Sequence, residues 1–201
     1  MKILNLYAGI GGNRTLWSNE YKVTAVEINP EIAGIYKSKF PNDIVVVTDA
    51  HYYLLDHYQE FDFIWSSPPC PSHSKLCYSQ KTKQYIDVTL YQQIILLKSW
   101  FKGKWVIENV IPYYEYLVKP SFIIGRHPFW SNFNVTPLEV KNIDVSRSTP
   151  DELSKYLGIP KPRYKAGVTL RNCVEPKTGL HILNCAKGII KEKKVQQNKL
   201  F

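Results

Sequence analysis

Apolar positions along the first half of the chain fall into two alternating kinds of run. Short and nearly continuous apolar stretches, Lys2 to Tyr7 (KILNLY), Tyr21 to Glu27 (YKVTAVE), Asp43 to Thr48 (DIVVVT), Phe61 to Ser66 (FDFIWS) and Lys104 to Glu108 (KWVIE), read as strands buried on both faces. Between them the signals are helical: a short helix through Thr15-Leu16-Trp17, one opened by Pro30 before "EIAGIYKSKF", and an amphipathic one from Gln84 to Trp100. Ile86, Leu90, Ile94, Leu97 and Trp100 lie near one face of that last helix. Strand and helix in alternation predict an α/β domain with a mostly parallel central sheet flanked by helices.

Beyond about Pro112 the periodicity blurs. The aromatic "HPFWSNFNV" reads as extended chain. "TPDELSKYLG" carries a helix-start box, Thr149 with Glu152 three positions on, and "GLHILNCAKGIIKEKK" reads as a last helix with a basic end. No repeat, low-complexity segment or long linker divides the chain, so residues 1–201 are expected to form one domain with a basic tail at 191–201.

Composition narrows the class. At 201 residues, 44% hydrophobic and 13% aromatic, the chain has material for one packed core. No stretch approaches the roughly 18 uninterrupted apolar residues of a membrane span, and no leader pattern opens the chain, so a soluble cytoplasmic protein is expected. Four cysteines, Cys70, Cys77, Cys173 and Cys185, are too few for a disulfide scaffold. None forms a Cys-x-x-Cys pair, and Cys70 and Cys77 with His73 between them do not match a zinc spacing, so no metal site is expected. A formal net charge of +9 fits either a polyanionic partner or a solvated lysine-rich surface.

Chemistry concentrates at the strand ends. "LNLYAGIGG" stops a strand at a glycine-rich turn, where backbone N–H groups approach a cofactor closely for want of a Cβ. Alone, this pattern serves a dehydrogenase, a methyltransferase or a tight turn. Glu27 ends the next strand in "AVEINPE", placed to accept from ribose hydroxyls, and Asp49 follows "VVVT", where a carboxylate accepts from an adenine amino group or caps a helix. Three successive strand tips then converge on one nucleoside.

Cys70 follows the fourth strand in "WSSPPCPSHSK", stiffened by Pro68 and Pro69, with His73 and Lys75 near enough to favour a thiolate. Cys173 and Cys185 read as small buried hydrophobes. "IENV" leaves Glu108 at the end of an apolar strand, where a buried acid calls for a polar partner or a substrate.

Strand tips reading "LYAGIGG", "EINP", "TDA", "PPC" and "ENV", in this order and spacing, resemble the cytosine-C5 DNA methyltransferases, whose fold is a Rossmann-like S-adenosylmethionine (SAM) domain. The pairing of Pro-Cys with Glu-Asn-Val is the specific part. The resemblance runs from Lys2 to Val110 and resumes at "RNCVEP", Arg171 to Pro176, similar to the family's late Gly-Asn-Ala-Val-Pro-Pro motif. It implies that Tyr7, Ala8, Gly9, Ile10, Gly11 and Gly12 surround SAM, with Glu27 and Ile28 at the ribose, Asp49 and Ala50 at the adenine, and Pro68, Asn172 and Val174 closing the pocket. It makes Cys70 the nucleophile, Glu108 the residue at cytosine N3, and Arg126 in "GRHPFW" the arginine that contacts the base, although the family's Gln-x-Arg-x-Arg pattern is absent. Ser72, His73, Ser74, Lys75, Lys81 and Lys83 would then line a nucleic-acid-binding loop that closes over a flipped cytosine.

The chain also departs from the pattern. Asn5 stands where the family commonly has aspartate and Tyr7 where it has phenylalanine. Only about forty residues separate Arg126 from Arg171, so the span of about 127–170 would be a much reduced recognition segment. Three readings follow: SAM-dependent methylation of DNA at cytosine C5 through a covalent cysteine adduct, the same chemistry on RNA or single strands, or a non-catalytic nucleic-acid-binding accessory protein. A specificity-providing protein partner is compatible with the short recognition segment. Richness in Lys, Ile, Tyr and Asn, with compactness, suggests a phage or mobile-element origin and a restriction-modification setting.

Overall fold

The computed structural model describes residues 1–70, 72–73, 85–141 and 143–189. Seven strands form one sheet in the order β3-β2-β1-β4-β5-β7-β6. β1 (Lys2–Leu6), β2 (Lys22–Val26), β3 (Ile44–Val46), β4 (Phe63–Ser66) and β5 (Lys104–Glu108) run parallel. β6 (Phe122–Ile124) and β7 (His127–Ser131) make a hairpin that adds antiparallel to β5, with Glu108 opposite Phe129. This mostly parallel sheet with helices on both faces is the Rossmann-like arrangement expected.

Successive side chains on a strand point to opposite faces, and β1 shows the consequence. Leu4 and Leu6 pack with Leu54 of α2 (Ala50–His57) and with Leu90, Ile94 and Leu97 of α3 (Thr89–Trp100). Ile3 faces the other way, with Val23, Phe63 and Trp65, against Ile182 and Leu183 of α6 (Pro176–Ala186). On that side Ala25 also meets Tyr36 of α1 (Pro30–Lys39). Burial on both faces explains why these strands read as unbroken apolar runs.

Local signals set the helix ends. Asn29 caps α1 by accepting from the N–H groups of Glu31 and Ile32, with Pro30 at the first turn. Thr149 and Glu152 form a complete capping box at α4 (Pro150–Leu157), and Gly158, at φ +64°, ends it in the left-handed region. α4 and α5 (Ala166–Arg171) pack as a pair over Ile10 through Leu153, Leu157 and Leu170.

Several expectations change. Thr15 to Trp17 is a series of turns, because Arg14 is buried and its guanidinium accounts for the local polar groups: it donates to both Asp43 carboxylate oxygens (2.9 and 3.1 Å) and to the Trp17 carbonyl (2.8 Å). α3 begins at Thr89, so Ile86 precedes it, and Trp100 is 58% exposed at its end. α6 starts at Pro176, earlier than the pattern placed it, and ends at Ala186. Of the span about 127–170, residues 127–131 belong to the sheet as β7. Ser74, Lys75, Cys77, Lys81, Lys83 and the tail at 191–201 lie outside the described residues.

Candidate functional site

In this strand order β1 has β2 on one side and β4 on the other, so the chain's connections diverge at the β1/β4 boundary, where open α/β sheets bind ligands outside the carboxyl ends. A cleft of about 410 Å³ opens there. Its walls include Tyr7, Ala8, Gly9, Ile10, Gly12, Glu27, Ile28, Pro68, Cys70, Glu108, Arg126, Asn172 and Val174, thirteen of the residues singled out from the sequence.

The turn after β1 is built for close approach. Tyr7, Gly9 and Gly11 all have positive φ (+54°, +54° and +76°), which for Tyr7 is uncommon in an L residue. The Tyr7 hydroxyl accepts from Gln93 Nε2 (2.7 Å), and Gln93 Oε1 accepts from Ser66 Oγ (2.7 Å), so a polar chain across β1, β4 and α3 holds the ring. An added Cβ at Gly9 meets nothing within 4 Å, leaving that side of the turn open. At Gly12 a Cβ would stand 2.6 Å from the Val174 carbonyl oxygen, so this glycine admits the late segment against the turn. Gly11 does not line the cleft, since its Cβ position points at Phe40 and Tyr36 of α1.

Glu27 ties the second strand tip to the first. One carboxylate oxygen accepts from Gly9 N and the other from Asn29 N, both at 3.0 Å, and further lone pairs remain for a ligand's hydroxyls. Ile28, 64% exposed, stands beside it with Ile32 and Val168 as apolar cleft wall. Asp49 caps α2 through Oδ1, accepting from His51 N (2.8 Å) and Tyr52 N (3.1 Å). Neither Asp49 nor Ala50 lines the cleft.

Cys70 and Glu108 reach the cleft from beyond the ends of neighbouring parallel strands, β4 and β5. Burial pushes the Cys70 thiol above its ordinary value and the Glu108 carboxylate adds to this, while a backbone hydrogen bond and Arg126 pull the other way. The thiolate-favouring charge is therefore Arg126 rather than His73. The His73 ring is 1% exposed and bonded to the Tyr114 hydroxyl, and burial lowers its pKa, so it is held neutral. Ser72 is likewise buried and accepts from Asp87 N (3.1 Å); neither side chain offers a surface to nucleic acid.

Burial raises the Glu108 carboxyl, but His127, Ser67 and Arg126 outweigh it and hold the group below the ordinary carboxylate range. His127 Nδ1 donates to Glu108 Oε1 at 2.5 Å. Arg126 donates through Nη2 to the Arg171 carbonyl (2.6 Å), which joins the hairpin to the end of α5. Asn109 Nδ2 donates to the Pro68 carbonyl (3.1 Å) and its backbone N–H to the Pro128 carbonyl (3.1 Å), so one residue just past β5 links the Pro-Cys loop and β7. Sequence reasoning missed both Asn109 and His127. Asn109 was visible inside "ENV"; His127 carried no local sign of its partner nineteen positions back.

A family model for the C-5 cytosine-specific DNA methylases matches residues 1–112. The chain belongs to the C-5 cytosine-specific DNA methylases. Among solved structures it is similar to a mutant of DNMT2 from Spodoptera frugiperda, at 28% identity over 54% of this chain and 35% of that one, with a TM-score of 0.39. It is also similar to Dnmt2 of S. pombe (20% identity, 55% and 36% of the chains, TM-score 0.40) and to a putative DNA modification methyltransferase encoded within an E. coli prophage (20%, 57% and 33%, TM-score 0.39). The chain thus spans about a third of the length of these three. No curated protein matches it.

S-adenosyl-L-methionine is the cofactor that membership of the methylases implies, and the cleft fits it. The Gly9 turn is open on the cleft side, Glu27 supplies acceptors at its rim, and Ile28, Ile32 and Val168 offer apolar surface suited to a purine. No group of three or more His, Cys, Asp or Glu among the described residues is arranged to hold a metal, and no described helix is long and apolar enough to cross a membrane.

Proposed function

We propose that the chain transfers a methyl group to C5 of cytosine in DNA through a covalent adduct of Cys70. The observation that carries this reading is the convergence of Cys70, Glu108 and Arg126 on one cleft whose other end is the Gly9–Glu27 rim. A methyl-group cofactor and a cytosine need adjacent places, and a cleft lined by both sets of residues supports this reading.

Carbon 5 of cytosine is too weak a nucleophile to be methylated unaided. In the proposed reaction the Cys70 thiol first loses its proton to solvent; the thiolate adds to C6, the C5–C6 π pair shifts toward C4, and the C4–N3 π pair settles on N3, which takes a proton at Glu108. C5 is then enamine-like, and SAM, when bound, supplies the methyl group that it takes up. Loss of the C5 proton and expulsion of Cys70 restore the aromatic ring. Arg126, at the same wall, stabilises negative charge on the thiolate and at the pyrimidine edge. Glu27, Ile28, Asn172 and Val174 would hold the nucleoside part of SAM, with Asp49 reaching its adenine through the oxygen not used as a cap.

A cytosine stacked in a duplex cannot enter this cleft, so the target base must be flipped. The net charge of +9 supports a polyanionic partner. Within the span of about 127–170, residues after β7 would make the reduced recognition segment, reading DNA mainly through backbone contacts and shape. Ser74, Lys75, Lys81 and Lys83, in the segment Pro71 to Lys83, would supply phosphate contacts. Cytoplasmic action in a bacterial or phage-infected cell, in a restriction-modification setting, completes the reading.

The test is transfer of labelled methyl from SAM to unmethylated duplex DNA, single-stranded DNA and RNA, with Cys70→Ala alongside and base-resolution mapping of the product. Label at C5 of cytosine in duplex DNA, lost in Cys70→Ala, is expected. Label confined to RNA or single strands overturns the choice of substrate. SAM binding without label on any of the three overturns the reaction.

A further inference from the structure

We propose that His127 holds the proton that the reaction delivers to cytosine N3, passing it through the Glu108 carboxyl, and that its Nε2 faces the substrate base. The inference rests on the cytosine-methylation reading and deepens it. Three observations lead to it.

The first is the pairing. His127 Nδ1 lies 2.5 Å from Glu108 Oε1, both side chains are buried, and the contact joins the tip of β5 to the first residue of β7. The second is the unpartnered atom. His127 is 3% exposed, it is among the residues that line the cleft, and its Nε2 has no hydrogen-bond partner among the described residues. A buried polar atom left unpaired is destabilising by about 1–3 kcal/mol, and such atoms in native proteins call for an explanation. A base bound in the cleft would supply one, because the edge of cytosine carries N3, O2 and an amino group that can pair with such an atom.

The third is a conflict of charge. Addition of the thiolate to C6 places a lone pair on N3, which must be protonated. Glu108, however, is held as a carboxylate by His127, Ser67 and Arg126, and an ionised carboxylate has no proton to give. The proton is accounted for when His127 is an imidazolium. As the Cys70 sulfur bonds to C6, N3 takes a proton from the Glu108 carboxyl and Glu108 takes the Nδ1 proton of His127. The imidazolium becomes neutral imidazole, and the charge lost from the thiolate is balanced by the charge lost from the ring. Departure of Cys70 from the methylated ring returns the proton by the same path.

The groups facing the pair are consistent with this. Arg126 comes from the hairpin, and Ser67 and Cys70 from the loop after β4; each acts on Glu108, and Arg126 is itself held by the Arg171 carbonyl at the end of α5. Arg126, like His127, favours the ionised form of Glu108.

His127→Asn is the informative variant, because the asparagine Nδ2 replaces Nδ1 as a donor to Glu108 but holds no titratable proton. Methyl transfer should fall roughly 100-fold, within the usual range for removing a general acid, and the alkaline decline of the wild-type pH profile should disappear. Imidazole 15N shifts of the full-length protein without SAM give a readout free of activity. Of the five histidines, the signal absent in His127→Asn should show both ring nitrogens protonated at the pH of fastest methylation, and should change in Glu108→Gln. A neutral His127 ring at that pH overturns the proposal; should His127→Asn fail to fold, the histidine signal that changes in Glu108→Gln identifies the ring. So does a folded His127→Asn with wild-type rate and pH profile. If the wild-type chain methylates no nucleic acid at all, the methylation reading fails and this inference fails with it.

Discussion

Loss of Arg14 should destabilise the protein more than loss of any exposed charge, and the size follows from its surroundings. The guanidinium is 1% exposed and donates to both oxygens of Asp43, to the Trp17 carbonyl and to Asn19 Oδ1 (3.2 Å). Asp43 in turn accepts from the Tyr36 hydroxyl (2.8 Å), and Phe40 covers the guanidinium at 4.9 Å from its ring centroid. Arg14→Met leaves the Asp43 charge buried with one hydroxyl donor, a change that destabilises by about 3–5 kcal/mol. Against a domain stability of about 5–15 kcal/mol this is a large fraction. At an m-value of about 2 kcal/mol/M it lowers the urea midpoint by about 1.5–2.5 M. Asp43→Asn alone should also be strongly destabilising, whereas the double variant should be less so than the two singles added, by about 1–3 kcal/mol. Because the same guanidinium fixes the chain leaving Gly11–Gly12, folded Arg14→Met should bind SAM more weakly in calorimetry. An Arg14→Met change under about 1 kcal/mol, or strict additivity in the cycle, would refute the reasoning.

Glycine substitutions separate packing from conformation: Gly179→Ala puts a Cβ 2.2 Å from the Asn13 carbonyl oxygen and 2.7 Å from its Cα, so it should lower the urea midpoint, while Gly34→Ala in α1 meets nothing within 4 Å and should raise stability by about 0.4–1 kcal/mol. Alkylation of Cys70 by iodoacetamide, followed by mass spectrometry, should be slow at neutral pH and quicken as pH rises. Glu108→Gln should speed it at fixed pH by removing a negative neighbour, and an unchanged rate would count against that electrostatic coupling. His73 is held neutral by burial with a folded-state pKa below its ordinary 6.5, so the unfolded chain takes up the proton first. Its stabilisation is present above pH 6.5 and lost as pH falls through the lower folded value; His73→Gln should flatten that part of the stability curve, measured by urea denaturation between pH 7 and 5.

How much of this was legible in the sequence depends on the range of the interactions involved. β1, β2, β4 and β5 announce themselves because burial on both faces demands apolar residues at nearly every position. The capping box at Thr149 is local and was equally legible. β3 is shorter than the apolar run DIVVVT implies, since only Ile44 to Val46 pair with β2. The false helix at Thr15 to Trp17 came from a segment whose conformation is dictated by Asp43, twenty-nine positions from Arg14. β6 and α5 were missed because one is three residues long and the other six, too short for periodicity to register. The cleft residues from the glycine turn to Glu108 were legible through their place at strand ends, whereas the buried orientation of His73 was not.

In the proposed function, the antiparallel hairpin β6–β7 is what would fit the cleft for acid–base chemistry. The parallel strands alone bring Cys70 and Glu108 to the same edge of the sheet. By pairing to β5, β7 places His127 against Glu108 and Arg126 at the cleft wall. Asn109 then fixes the arrangement, since its side chain holds the Pro68 carbonyl and its backbone N–H holds Pro128. The Cys70 loop, β5 and β7 are therefore tethered through a single residue, so a shift in one should reach the other two. Geometry of this kind leaves little freedom for the protein groups to move to the substrate. In the proposed reaction the base must then be brought to them, which would make extrusion of a cytosine from its stack the adjustable step on which recognition acts.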